Sequence, residues 1–274
     1  MTELTIGLLL HIIRCFCQNV KLKLSKGRTS IVLSKQTFEV SRSDRRPLVE
    51  GAVDLWIADS LNIRDPLTTY RQLMSDDELE RSNHFKFDHL RDFHVFCRGT
   101  LRRILSGYLA VSPDTIRFLY GENGKPFLAT EAALQFNVSH SGSLFVCAVS
   151  SNLTIGVDVE EIRPLDDMTS IATHFFSPAE QRHLAKIPEE NRTHAFYECW
   201  TRKEAVIKAT GEGVSRLLDS FEVAFGPGAT AQLMHIDDNH SPSWQMASFE
   251  PHPGYVGAVT SPVPWNSLRI HKTD

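Results

Sequence analysis

One local signal occurs twice in this chain, and it limits the folds open to it. Ser75-Asp76-Asp77-Glu78 and Ser177-Pro178-Ala179-Glu180 both have the form Ser-x-x-Glu. In such a capping box the serine and glutamate side chains satisfy each other's backbone N–H groups at the start of a helix. The second box also carries proline at its first helical position, where a missing N–H does no harm. Residues 75 and 177 stand 102 apart, and each box precedes a long helical stretch and then strands. The first long helix covers about His89 to Leu109. Phe93, Phe96, Leu101, Ile104 and Leu105 lie on its apolar side, and Arg91, Arg98, Arg102 and Arg103 on the other. The second covers about Arg192 to Thr210 and closes at Gly211. Strands fit residues 53–58, 116–120, 134–138 and 144–149, then 155–160, 221–224, 230–234, 244–249 and 255–260. The expectation is an α+β protein, a pseudo-dimer of two similar α/β halves over residues 52–151 and 152–262. Residues 1–51 read as an N-terminal extension outside the fold, and 263–274 as a C-terminal tail.

Charge and cysteine usage narrow the classes of function. The 274-residue chain has a formal net charge of -4, which argues against a broad nucleic-acid surface. Its five cysteines (Cys15, Cys17, Cys97, Cys147, Cys199) show neither CxxC nor Cys/His ligand spacing, so a zinc site or disulfide framework is not expected. The apolar run Ile6 to Ile13 is broken by His11 and is too short to span a membrane. It also lacks the basic region and cleavage site of a signal peptide. A cytoplasmic monomer that uses neither membrane nor nucleic acid is the expectation.

Chemistry concentrates at Gly156-Val157-Asp158-Val159-Glu160. Residues two apart on a strand share a face, so Asp158 and Glu160 present two carboxylates side by side. Adjacent carboxylates repel unless a cation stands between them, and Mg²⁺ is a hard cation suited to oxygen ligands. On the second long helix Trp200, Glu204 and Lys208 share a face at i, i+4, i+8. If that face packs on the strand, Glu204 supplies a third carboxylate and Lys208 a cation beside it. Two first-half stretches could hold phosphate. Gly124-Lys125-Pro126 lies in a Gly-rich turn, although it is not a P-loop, since Pro126 replaces the Ser/Thr and no helix follows. Phe136-Asn137-Val138-Ser139-His140-Ser141-Gly142 is a strand ending in a polar turn. A serine-hydrolase reading fails there, because Ser139 and His140 point apart and no GxSxG elbow exists.

GVDVE, WTRKEAVIK, GKP and FNVSHSG occur in the order seen in the 4'-phosphopantetheinyl transferases of the surfactin-synthetase type. Phe85 through Tyr108 also resembles the first-half helix of that family, particularly its cyanobacterial members. The resemblance spans about residues 52–262. It implies a pseudo-dimer with its active site in the cleft between the halves. It also implies transfer of the phosphopantetheine arm of coenzyme A to a serine of an apo acyl or peptidyl carrier protein, leaving 3',5'-ADP. By matching positions, Asp158, Glu160 and Glu204 would be the Mg²⁺ ligands. Glu204, directly or through a water, would be the base for the serine hydroxyl, and Lys208 would stabilise the leaving oxygen. Lys125, Pro126, Ser139 and His140, with Asp158 and Lys208, would contact coenzyme A, His140 near the 3'-phosphate. Arg91 and Arg98 are added as first-half cations for the same ligand.

Two other classes compete. A Mg²⁺-dependent nuclease or phosphodiesterase would also cluster carboxylates and a lysine, yet the Glu-x-Lys strand spacing usual for nucleases is absent. A non-catalytic carrier-protein binder would be expected to lose the metal carboxylates, and all three are present.

Overall fold

The computed structural model describes residues 46–121, 123–130, 132–213, 217–236 and 243–273. The expectation for residues 1–45 therefore lies outside the described residues. In chain order the elements are β1 (Ala52–Asp59), α1 (Leu67–Gln72), α2 (Asp76–Ser82), α3 (Asp88–Leu109), β2 (Phe118–Tyr120), β3 (Pro126–Leu128), β4 (Leu134–Ser141), β5 (Leu144–Ser151) and β6 (Gly156–Glu161). These are followed by α4 (Met168–Phe175), α5 (Pro178–Lys186), α6 (Glu189–Thr210), β7 (Phe221–Val223), β8 (Leu233–Ile236), β9 (Gln245–Phe249), β10 (Tyr255–Ser261) and β11 (Ser267–Lys272). No helix among the described residues is long and apolar enough to cross a membrane.

The two capping boxes form, and each anchors a similar ion pair. Ser75 N–H donates to Glu78 Oε2 at 3.2 Å, and Ser177 N–H donates to Glu180 Oε2 at 2.8 Å. Glu78 Oε2 also accepts from Arg102 on α3, whose guanidinium donates to Pro113 O and Ile116 O at 2.6 and 3.0 Å. In the second half, Lys203 on α6 pairs with Glu180 at 2.8 Å and donates to Leu218 O and Phe221 O at 2.7 and 2.6 Å. In both places a buried cation on the long helix ties the preceding capping box to the 3₁₀ turn that follows (Pro113–Thr115, Leu218–Ser220). Every one of these polar groups is paired, as burial of charge requires. The shared wiring is independent support for the internal repeat.

Two larger sheets, in the orders β11-β1-β5-β4 and β6-β10-β9, are accompanied by two hairpins, β2-β3 and β7-β8. β1 is buried on both faces and alternates between cores. Trp56 and Ala58 pack against α3, whereas Val53, Leu55 and Ile57 join Val157, Val159 and Val259 in a cluster shared by both sheets. β4 runs beside β6 without a backbone ladder between them, and side chains of β4 make the link. Asn137 Oδ1 accepts Val157 N–H at 2.8 Å, and Ser141 Oγ accepts Glu161 N–H at 3.1 Å. Asn137 and Ser141, four apart and so on one face of β4, thereby stitch one half to the other.

Some boundaries differ from the expectation. The segment read as a C-terminal tail ends in β11, which pairs parallel to β1 in the first-half sheet. Arg269 on β11 makes a two-pronged contact with the buried Asp54 of β1, and Tyr108 and His271 also bond that carboxylate. Burial works against the Asp54 charge, yet these bonds hold its pKa below the ordinary value. At the other end, Arg46 N–H bonds Gly107 O at 3.0 Å, and its guanidinium lies 4.0 Å over the Trp56 ring. The described fold therefore includes Arg46, ahead of the expected boundary at 51/52. The strand expected at 230–234 forms at Leu233–Ile236 instead. Arg269→Ala should lower stability by about 1–2 kcal/mol, since Arg269 is partly solvated and its bonds are screened accordingly. Because Asp54 titrates below its unfolded value, the stability it lends is present above the unfolded pKa and fades as pH falls through the folded one. Urea melts of wild type and Arg269→Ala from pH 7 to pH 3 should converge at the acid end.

Candidate active site

β6 is placed by Val157 and Val159, which are fully buried in the shared core. The alternate residues Asp158 and Glu160 then face β4 and α6. Gly156 allows the close approach. A Cβ there would stand 2.0 Å from Ala205 O and 2.5 Å from Ala209 N of α6. Small residues on helix and strand thus let two backbones touch. Glu204 and Lys208, beside them on the helix, are carried to the strand's carboxylates.

The four groups converge. Lys208 Nζ lies 2.7 Å from Asp158 Oδ1 and donates to Ser139 Oγ at 2.9 Å, while Ser139 Oγ donates to the same Asp158 oxygen at 2.7 Å. Ser141 Oγ donates to Glu160 Oε2 at 2.7 Å. Asp158, Glu160 and Glu204 are 3, 7 and 5% exposed. Burial, then the neighbouring Asp158 charge, push Glu160 up to about 8 and Glu204 up to about 7. Asp158 Oδ2 is buried without a hydrogen-bond partner. Three buried carboxylates and an unsatisfied carboxylate oxygen are a hard-oxygen donor set, and their chemistry fits a divalent cation such as Mg²⁺. As they stand, no group of three or more His, Cys, Asp or Glu among the described residues is drawn together as a ready metal cage. The Lys208 ammonium lies against Asp158 instead.

A cavity adjoins this cluster, lined by Arg81, His94 and Arg98 from α2 and α3, Tyr120, Lys125 and Pro126 from the β2–β3 hairpin, Ser139 and His140 from β4, and Lys208. Ser139 and Lys208 belong to both cavity and cluster, whereas Asp158, Glu160 and Glu204 do not line the cavity. His140 is half-buried, with its ring edge-on to Phe93 at 5.4 Å. Arg98 is committed to Glu78, to Tyr120 Oη at 3.1 Å and to the Phe118 ring. Lys125 Nζ donates to the backbone Lys208 O at 2.6 Å, and burial brings its pKa down to about 8. Arg91 was expected in the ligand site but is not among the lining residues. It pairs with Asp88 one turn back, at 2.9 Å.

Sequence reading missed Arg81, His94 and Tyr120. His94 Nε2 is buried and unpartnered, and burial together with Arg98 brings its pKa to about 4, so the ring is neutral. Its i, i+4 spacing to Arg98 was the only sequence signal available.

A basic cavity running into a buried carboxylate–lysine cluster, on a two-sheet α+β frame, suits an enzyme acting on a phosphate ester. The comparisons sharpen that class. Residues 154–260 match the 4'-phosphopantetheinyl transferase superfamily, and residues 63–152 match the 4'-phosphopantetheinyl transferase N-terminal model. The chain is 38% identical over 215 residues to 4'-phosphopantetheinyl transferase HetI of Nostoc sp., covering 77% of this chain and 88% of that protein. It is 34% identical over 181 residues to 4'-phosphopantetheinyl transferase Sfp of Bacillus subtilis, covering 65% and 79%. Among solved structures, Thermotoga maritima holo-[acyl-carrier-protein] synthase shares 19% identity over 40% of this chain and 62% of its own, at a TM-score of 0.33. The chain belongs to the 4'-phosphopantetheinyl transferase family. Membership favours the transferase over the nuclease and binder readings.

Proposed function

We propose that the protein transfers the 4'-phosphopantetheine arm of coenzyme A to a serine of an apo acyl or peptidyl carrier protein. The serine oxygen attacks the phosphorus attached to pantetheine, the bond to the other phosphate breaks, and 3',5'-ADP leaves with the bonding electron pair. The observation that carries this reading is the meeting of Asp158, Glu160, Glu204, Lys208 and Ser139 beside a basic cavity. Asp158, Glu160 and Glu204 are the residues that would hold Mg²⁺. When bound, the ion would supply positive charge against the coenzyme A diphosphate.

Within this reading Glu204 accepts the serine proton, and the Lys208 ammonium meets the charge that develops on the leaving oxygen. Ser139 keeps Lys208 and Asp158 in register. Pro126 and Lys125 form one wall for the nucleotide, and Arg98, held by Glu78 and Tyr120, adds positive charge to another. The same reading places the enzyme in the cytoplasm as a monomer, with halves meeting near residues 151 and 152.

His140 is assigned to the 3'-phosphate, which carries close to two negative charges at neutral pH. His140→Ala should weaken coenzyme A binding by about 1–3 kcal/mol, the scale of a charge-assisted hydrogen bond. Titration calorimetry against coenzyme A and dephospho-coenzyme A tests this. Loss for the first alone supports the assignment, and equal losses for both would move His140 to another part of the ligand.

A further inference from the structure

We infer that Asn123 is a positioning residue for the transfer, acting from the first half through the end of α6 on Lys208. This rests on the role given to Lys208 above. The last carbonyls of any helix lack partners within it and carry its negative dipole end. α6 ends at Gly211, which turns left-handed at φ 75°. Carbonyls at this end and just beyond it are taken up by side chains of the β2–β3 turn. Lys125 Nζ takes Lys208 O at 2.6 Å, and Asn123 Nδ2 takes Gly211 O at 3.1 Å and Glu212 O at 2.9 Å. The fit is close, since a Cβ on Gly213 would meet Asn123 Cγ at 2.7 Å. One turn back from this cap, Lys208 directs its ammonium to Asp158 and Ser139.

Lys208 is therefore fixed at both ends. Its ammonium is held by β4 and β6, and its backbone by a turn that also walls the cavity. The Lys208 side chain spans from the helix end to Asp158 and Ser139, so a shift of that end changes the geometry in which the ammonium is held. A shift of about 1 Å in such a group can reduce a rate by about a hundredfold. Asn123 touches none of the reacting groups. Its amide sets the position of a residue that does.

A double-mutant cycle on the full chain separates this from simple capping. Asn123→Leu keeps the volume and removes the donors. It should lower kcat by about tenfold and change KM for coenzyme A by less than about twofold, the pattern of a lost transition-state contact. In a Lys208→Met background the same change should lower kcat by less than about twofold, while the fall in Tm is alike in both backgrounds. Asn123→Ala gives the same comparison if the leucine variant folds poorly. A full tenfold loss in the Lys208→Met background, or a lowered Tm with kcat intact, overturns the inference. Near wild-type kcat in Lys208→Met alone would overturn the reading of Lys208 itself.

Discussion

Gly156→Ala is expected to destabilise the protein by about 3 kcal/mol or more, a size reserved for overpacking that cannot relax. The new methyl would stand 2.0 Å from Ala205 O and 2.5 Å from Ala209 N, both backbone atoms of α6. No rotamer relieves a clash with backbone, so helix and strand must separate. β6 cannot retreat, because Val157 and Val159 are fully buried behind it. The helix moves instead, and it carries Glu204 and Lys208. Any folded fraction should therefore also lose transfer. Urea melts with parallel assays check both parts. A loss below about 1 kcal/mol would mean that the contact between α6 and β6 is looser than described.

Glu204→Gln should behave in the opposite way, abolishing transfer while leaving Tm unchanged or raised. Glu204 is raised to about 7 by burial and by Asp158, and Glu160 to about 8 by the same causes. A carboxyl whose folded pKa is raised keeps its proton longer in the native state. Its contribution to stability is therefore fully present below the unfolded pKa and is lost as pH rises through the folded value. At pH 8 wild type bears this cost in the metal-free form, and the amide does not. Loss of the general base proposed above should remove about two orders of magnitude or more from kcat. Calorimetric melts in chelator at pH 5 and pH 8 should show the variant's advantage only at the higher pH. Near wild-type activity at limiting Mg²⁺ would contradict the role given to Glu204.

The two halves and the carboxylate–lysine cluster were legible because their signals are local. Ser-x-x-Glu marks a helix start by itself. Alternation along residues 155–160 places Asp158 and Glu160 together, and a four-residue spacing places Glu204 with Lys208. β11 was not legible, since its partner strand lies over 200 residues away and its side chains are largely half-buried or exposed. Arg81, His94 and Tyr120 reach the cavity only through the packing of α2, α3 and the hairpin. Lys125 shows the limit most plainly. Gly-Lys-Pro marks a turn with a cation, yet whether that ammonium faces a ligand or a helix end depends on where α6 stops. Arg91 shares a helix with Arg98, but lies two turns nearer the helix start and outside the cavity wall.

The central claim is a group transfer, and intact-mass spectrometry reads it directly. A panel of apo acyl and peptidyl carrier proteins, incubated with the full chain, coenzyme A and Mg²⁺, should yield at least one carrier heavier by a single phosphopantetheine. 3',5'-ADP should form in equal amount, and the carrier's Ser→Ala variant should gain no mass. Unchanged carriers across the panel, under conditions where calorimetry shows coenzyme A bound, would contradict the account, as would cleavage of coenzyme A without mass gain on any carrier.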